Sequence, residues 1–117
     1  QRNNRKQSHQ AFLNTLEAIK AGSSIVVFPE GTRSEDGNIG AFKKGSQLLA
    51  HRAGVPIIPV TIIGTRNIIR KDDMIIRPGP VRIIISPYVT LDGKNAKKGD
   101  EALQDIRNTI CKNFKTA

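Results

Sequence analysis

The sequence predicts an α/β domain: a mixed, largely parallel sheet flanked by helices, incomplete at its N-terminus. Three observations predict it. Residues 6–21 and 100–114 carry apolar side chains at helical spacing. Short β-branched runs lie between them, at 25–28, 57–63 and 81–86. Their order is helix, strand, helix, strand, strand, helix, the alternation of an α/β fold. The first helix–strand–helix–strand stretch suits a parallel crossover. The later strands are open to either direction. With 117 residues the chain is one domain or part of one. Gln1 is not a start residue, so residues 1–117 are expected to be the C-terminal part of a single domain.

Each element has its own signal. In the first helix Phe12, Leu16 and Ile19 recur on one face, and Gly22 is the expected C-cap. Ile25-Val26-Val27, bounded by Gly22-Ser23-Ser24, reads as a short buried strand ending at Phe28. Residues 34–44 form a polar loop with a turn at Asp36-Gly37. The second helix starts near Gly45-Ser46 and stops at Gly54. Residues 57–63 read as a buried strand, but Pro59 offers no ladder donor, so a bulge or edge is expected there. Residues 64–80 are mixed and basic, and 81–86 form another strand. The last helix has Leu103, Ile106, Ile110 and Phe114 on its apolar face and Asp100 as its N-cap.

Composition narrows the function. Formal net charge is +9, which suggests nucleic acid, a phosphorylated substrate or an acidic membrane surface as partner, or serves solubility alone. Four Phe, one Tyr and no Trp leave few platforms for stacking bases. No apolar run approaches the ~20 residues that span a bilayer, and no secretory signal is expected at the basic N-terminus. The single Cys111 supplies neither an internal disulfide nor a metal site. His9 and His51 have no acid placed locally to orient them and read as surface residues. No Gly-x-Ser-x-Gly elbow, phosphate-binding Walker loop or metal-ligand spacing is present.

The stretch Phe28-Pro29-Glu30-Gly31-Thr32-Arg33-Ser34 carries the chemistry. Arg33 can grip a phosphate through two parallel donors, Thr32 adds a hydroxyl, and the amides around Gly31 add more. Glu30 can bind a substrate hydroxyl or lock Arg33. The competing reading is a Glu30–Arg33 ion pair that merely stiffens a turn. Lys43-Lys44 stands just before a helix start, where an anion is favoured; a solvated charge pair explains it equally well.

That stretch resembles the third conserved block of the glycerolipid acyltransferases, the group that includes 1-acyl-sn-glycerol-3-phosphate acyltransferase. Val55-Pro56-Ile57-Ile58-Pro59-Val60 resembles their fourth block, Ala41-Phe42-Lys43-Lys44-Gly45 the segment between, and Arg2-Asn3-Asn4-Arg5-Lys6 the tail of the second. Gln1 stands where an Asp commonly opens that tail. The family's first block, His-x-x-x-x-Asp, is not in this sequence: Asn14 stands where His9 would need its acid. The resemblance implies a glycerol-3-phosphate acyltransferase-like fold, no cofactor, and no catalytic residue within these 117.

The resemblance also implies a reaction. An acyl group passes from acyl-CoA or acyl carrier protein to the sn-2 hydroxyl of lysophosphatidate, giving phosphatidate. Arg2, Glu30, Gly31, Thr32 and Arg33 would hold the acceptor, with Lys43 and Lys44 beside them; Val55, Pro56, Ile57 and Pro59 would shape the acyl-donor side. An anionic membrane surface, at the cytoplasmic face, becomes the expected partner of the basic charge. Arg66, Arg70, Lys71 and Arg77 are candidates for headgroup contact. No nucleic acid is expected. A non-catalytic phospholipid-binding or scaffold protein of the same fold is the alternative, with a basic nucleic-acid-binding module behind it. An unpaired sheet edge or an exposed apolar face is expected, and with it a tendency to self-associate.

Overall fold

A computed structural model describes residues 2–31, 36–69, 74–91 and 99–115. The element order is α1 (Arg2–Lys20), α2 (Gly45–Ala53), β1 (Val60–Ile63), α3 (Thr65–Ile68), β2 (Arg82–Ile85) and α4 (Gly99–Lys115). α1 packs on α2, α2 on α4, and α4 on β1.

α1 begins four residues before the expected start at residue 6. Residues 2–5 hold no Gly or Pro to break it, and each residue added to a formed helix gains a hydrogen bond. It stops as expected. Gly22 adopts φ 107, its N–H donates to the Ile19 carbonyl, and the Ser23 N–H donates to that of Ala18, both at 3.0 Å. These are the paired closing bonds of a glycine C-cap. α2 ends the same way at Gly54, φ 67. The Arg52 guanidinium lies 5.5 Å above the Phe12 ring, tying α2 to α1.

The sheet departs from expectation in two respects. Residues 23–28 form no strand, and Ile25, Val26, Val27 and Phe28 are exposed. A β-branched run becomes a strand only where a neighbour supplies a ladder, and among the described residues none does. The ladder that is present, β1 with β2, is antiparallel, with Val60 opposite Ile85 and Ile62 opposite Ile83. The α/β class therefore holds, while the parallel crossover is not seen among the described residues.

Pro59 sits where the ladder breaks. Its carbonyl accepts from the Ser86 N–H at 3.0 Å, and pairing resumes at Ile57 with Val89, whose amides exchange bonds of 2.9 and 2.8 Å. Passing from the Val60–Ile85 pair to the Ile57–Val89 pair takes one more residue on the second strand than on the first. The bulge thus lies around Pro87, opposite the proline that lacks a donor.

The core forms on one side only. Ala50, Leu91 and Ala102 are buried together, with Val55, Ile57 and Val89 against them. Leu49 of α2 and Leu103 and Ile106 of α4 are also buried. The β1–β2 face toward α4 holds Thr61, 1% exposed. Asn113 of α4 donates through Nδ2 to Ser86 Oγ at 3.0 Å and more weakly to Thr61 Oγ1 at 3.4 Å. The opposite face, Val60, Ile62, Ile83 and Ile85, is exposed. The expectation that 57–63 is buried on both faces fails: α4 packs on β1, and the side chains of the opposite face are exposed. The expected exposed apolar face is present.

α3 is an element the sequence did not signal. Gly64 turns β1 into it at φ 103, with its α-carbon against the Pro80 carbonyl; a Cβ there would collide with that oxygen. Arg77 then donates its N–H to the Ile68 carbonyl at 2.7 Å, fixing the return toward β2. Helix α4 begins at Gly99, which places Asp100 inside the helix rather than at its cap.

Candidate functional site

Pro29 occupies the second position of a tight turn, where its fixed φ is already correct. The Gly31 N–H closes the turn on the Phe28 carbonyl at 3.0 Å. Gly31 adopts φ 77, a conformation that glycine takes without strain. Lys43 returns to this turn twice. Its N–H donates to the Pro29 carbonyl at 2.8 Å. Its side chain covers Gly31: a Cβ on that glycine would stand 2.8 Å from Lys43 Nζ and 2.9 Å from Cε. The absence of a side chain at Gly31 is what lets the ammonium come so near the backbone.

Glu30 is half-buried, and its Oε2 accepts from the Gly40 N–H at 2.8 Å. The carboxylate therefore holds the loop that leads to Lys43. Neither role considered for it in the sequence, a substrate hydroxyl or Arg33, included this one. The loop begins at the expected Asp36-Gly37 turn, where Asp36 Oδ1 accepts from the Asn38 N–H at 2.9 Å. Gly37 takes φ 84, and the Arg66 side chain lies against it, 3.2 Å from where a Cβ would be. Arg107 of α4 reaches the same loop. Its Nε donates to the Gly40 carbonyl and its Nη2 to the Ile39 carbonyl, both at 3.0 Å.

Lys44 is the residue before α2. It has helical φ −73 and ψ −10, and its carbonyl accepts from the Leu48 N–H at 3.1 Å; its side chain makes no capping bond. Together with Ala41, Phe42, Leu103, Gln104 and Arg107 it lines an open cleft of about 440 Å³ between the loop and α4.

The structure thus brings Glu30, Gly31 and Lys43 together and places Lys44 in the lining of the neighbouring cleft. Thr32, Arg33 and the Arg2 side chain lie outside the described residues, as do Arg70 and Lys71. Of the residues assigned to the acyl-donor side, Val55 and Ile57 pack on the core, Pro59 is buried and Pro56 is exposed. Arg66 and Arg77 are exposed, as are His9 and His51. Among the described residues, no three His, Cys, Asp or Glu side chains converge as a metal site, and no helix is long and apolar enough to cross a membrane.

Sequence reasoning missed Arg107. The signal was available: it lies four residues after Leu103 and one after Ile106, beside the apolar stripe of α4. A cation bordering the buried stripe of a helix needs an acceptor.

Comparison with known proteins identifies the family. A family model described as Acyltransferase matches residues 1–63. A chloroplastic 1-acyl-sn-glycerol-3-phosphate acyltransferase of Brassica napus is 38% identical over 85% of this chain and 28% of its own length. A 1-acyl-sn-glycerol-3-phosphate acyltransferase of Borreliella burgdorferi is 33% identical over 97% of this chain and 46% of its own. The crystal structure of the 1-acyl-sn-glycerophosphate (LPA) acyltransferase PlsC from Thermotoga maritima superposes with a TM-score of 0.82 at 33% identity, over 90% of this chain and 44% of that one. The chain spans between about a quarter and a half of the length of these relatives. With more than half of its residues matched by the family model, and relatives at 33–38% identity across most of its length, the chain belongs to the acyltransferase family.

Proposed function

We propose that this chain is the acceptor-binding part of a 1-acylglycerol-3-phosphate acyltransferase, with the phosphate of the acceptor held at Gly31 and Lys43. The observation that carries the proposal is the Lys43 ammonium set over the glycine of a tight turn. A cation stands there over backbone that carries no side chain, which gives a phosphate both a charge partner and room to approach. Arg33, two residues on in the same stretch, would complete the grip with its two-pronged guanidinium. The names of the relatives support the acceptor, and the basic charge of +9 suits a phosphorylated lipid in an anionic membrane surface, where each Lys or Arg adds ~1 kcal/mol.

The chemistry follows from the reaction class. The sn-2 hydroxyl of the acceptor loses its proton to a histidine base. Its oxygen attacks the thioester carbonyl of acyl-CoA or acyl carrier protein, and the thiol leaves. That histidine and its acid partner are not among these 117 residues. The residues here bind and orient, so that the hydroxyl meets the thioester in a reactive geometry.

Lys43→Ala and Arg33→Ala in the full-length enzyme test the reading. A lost charge-assisted bond to phosphate is worth about 1.5–3 kcal/mol, so each should raise the KM for lysophosphatidate by roughly tenfold or more. With monoacylglycerol, which has no phosphate, offered as the acceptor, the same variants should match the wild type. Equal loss with both acceptors, or no loss with either, would remove the phosphate grip from this turn.

A further inference from the structure

We infer that Arg107 is a positioning residue for the acceptor site, acting through the Ile39–Gly40 peptide and Glu30. The inference rests on the acceptor reading given above. One peptide unit is held from both sides. The Ile39 carbonyl accepts from Arg107 Nη2 at 3.0 Å, and the N–H of the same unit, on Gly40, donates to Glu30 Oε2 at 2.8 Å. The next carbonyl, of Gly40, accepts from Arg107 Nε at 3.0 Å. A guanidinium at one end and a carboxylate at the other polarise the peptide between them, so each bond strengthens the other.

The residue types fit this task. Nε and Nη2 form a rigid fork that meets two successive carbonyls, which an ammonium cannot do. Arg107 is half-buried next to Ile106 and near Leu103, so its helix is anchored. Gly40 has no side chain where a Cβ would stand 3.3 Å from Glu30 Oε2, so the carboxylate can close on its amide. The Arg107 bonds join positions 67 and 68 apart in sequence, and the Gly40 N–H carries the link on to Glu30, the residue between Pro29 and Gly31. The orientation of the Glu30 carboxylate, and with it the turn under Lys43, is thereby set by α4.

The cleft beside Arg107 offers a competing role, direct contact with the acyl donor, and the test separates the two. In the full-length enzyme, Arg107→Gln should raise the KM for lysophosphatidate about fivefold, leaving kcat and the donor KM within about twofold. Arg107→Lys should fall between wild type and Arg107→Gln. Amide hydrogen exchange across residues 36–43 should accelerate in Arg107→Gln and in Glu30→Gln. The double variant should be no worse than the worse single one, because both remove one linked network. Should Arg107→Gln fail to fold, Gly40→Ala, which crowds Oε2 from the other side, carries the same expectation for acceptor KM and exchange.

A raised donor KM with an unchanged acceptor KM would overturn the inference and put Arg107 in the cleft. Additive effects of Glu30→Gln and Arg107→Gln would overturn it as well. If Lys43→Ala and Arg33→Ala leave the acceptor KM unchanged, the phosphate reading falls, while the exchange data still report whether Arg107 and Glu30 share one network.

Discussion

Two regions of this chain are built from aliphatic side chains, and they meet opposite fates. Residues 55–57 and 89–91 place Val55, Ile57, Val89 and Leu91 against Ala50 and Ala102, where α2 and α4 cover them. Residues 25–28 and the outer face of β1–β2 present the same kind of side chain to solvent. Hydrophobicity does not separate them. The difference is whether a second layer is present, and α4 is that layer on the first side. The candidate site lies on the covered side too: Arg107 projects from the helix that buries the core. On this side, one element both packs the core and holds the loop of the candidate site.

The largest test of this contrast is at Gly64. Its φ of 103 and its contact with the Pro80 carbonyl leave no room for a side chain. Gly64→Val adds a β-branched residue in a region closed to it, and should destabilise by roughly 4 kcal/mol in a urea titration. A loss under half of that would mean that the β1–α3 turn relaxes freely and does not define the covered side. Leu91→Ala comes next. Leu91 is 6% exposed, so the variant should lose about 3 kcal/mol from transfer and cavity together. A loss below about 1 kcal/mol would show that this core collapses onto the gap.

These positions also show what was legible in the sequence. α1, α2 and α4 were, because a helical face repeats within a few residues and glycine marks the ends: Gly22 and Gly54 both cap as read. The break at Pro59 was legible from a missing donor. Residues 25–28 misled, since a strand is a property of two segments and a sequence shows one at a time. In the candidate site, Glu30 and Gly31 were marked by the compact stretch 28–34 and Lys43 by the segment 41–45. Arg107 was not, because its two acceptors are backbone carbonyls, which every residue carries. Ala102, fully buried, was passed over for its size, although small residues are what let α4 come close to α2.

Asn113→Ala is a smaller test. It removes the bond to Ser86 Oγ and the weaker one to Thr61 Oγ1. The Thr61 hydroxyl would remain buried with a partner lost, so a cost of about 1 kcal/mol is expected. Asn113→Ala combined with Thr61→Val should recover part of the loss, since both polar partners are then gone from the buried face. A double variant as weak as the sum of the two singles would mean that the pair does not act as a latch.

The smallest effect on stability is expected at Ile85, 72% exposed on the outer face, and it sharpens the comparison most. Ile85 pairs across the ladder with Val60, and Ile83 with Ile62, so the four form one contiguous apolar patch. Ile85→Lys leaves the covered side untouched. In this chain it should change stability by less than about 0.5 kcal/mol, the ordinary range for a surface position. It should also lower the chain's tendency to self-associate, read by light scattering against concentration, because a charge is placed in the middle of an open apolar face. The same substitution in the full-length protein is the informative control. A loss there of the size expected for Leu91→Ala would show that a further layer covers this face, and that the two regions differ only in which part of the polypeptide supplies their cover.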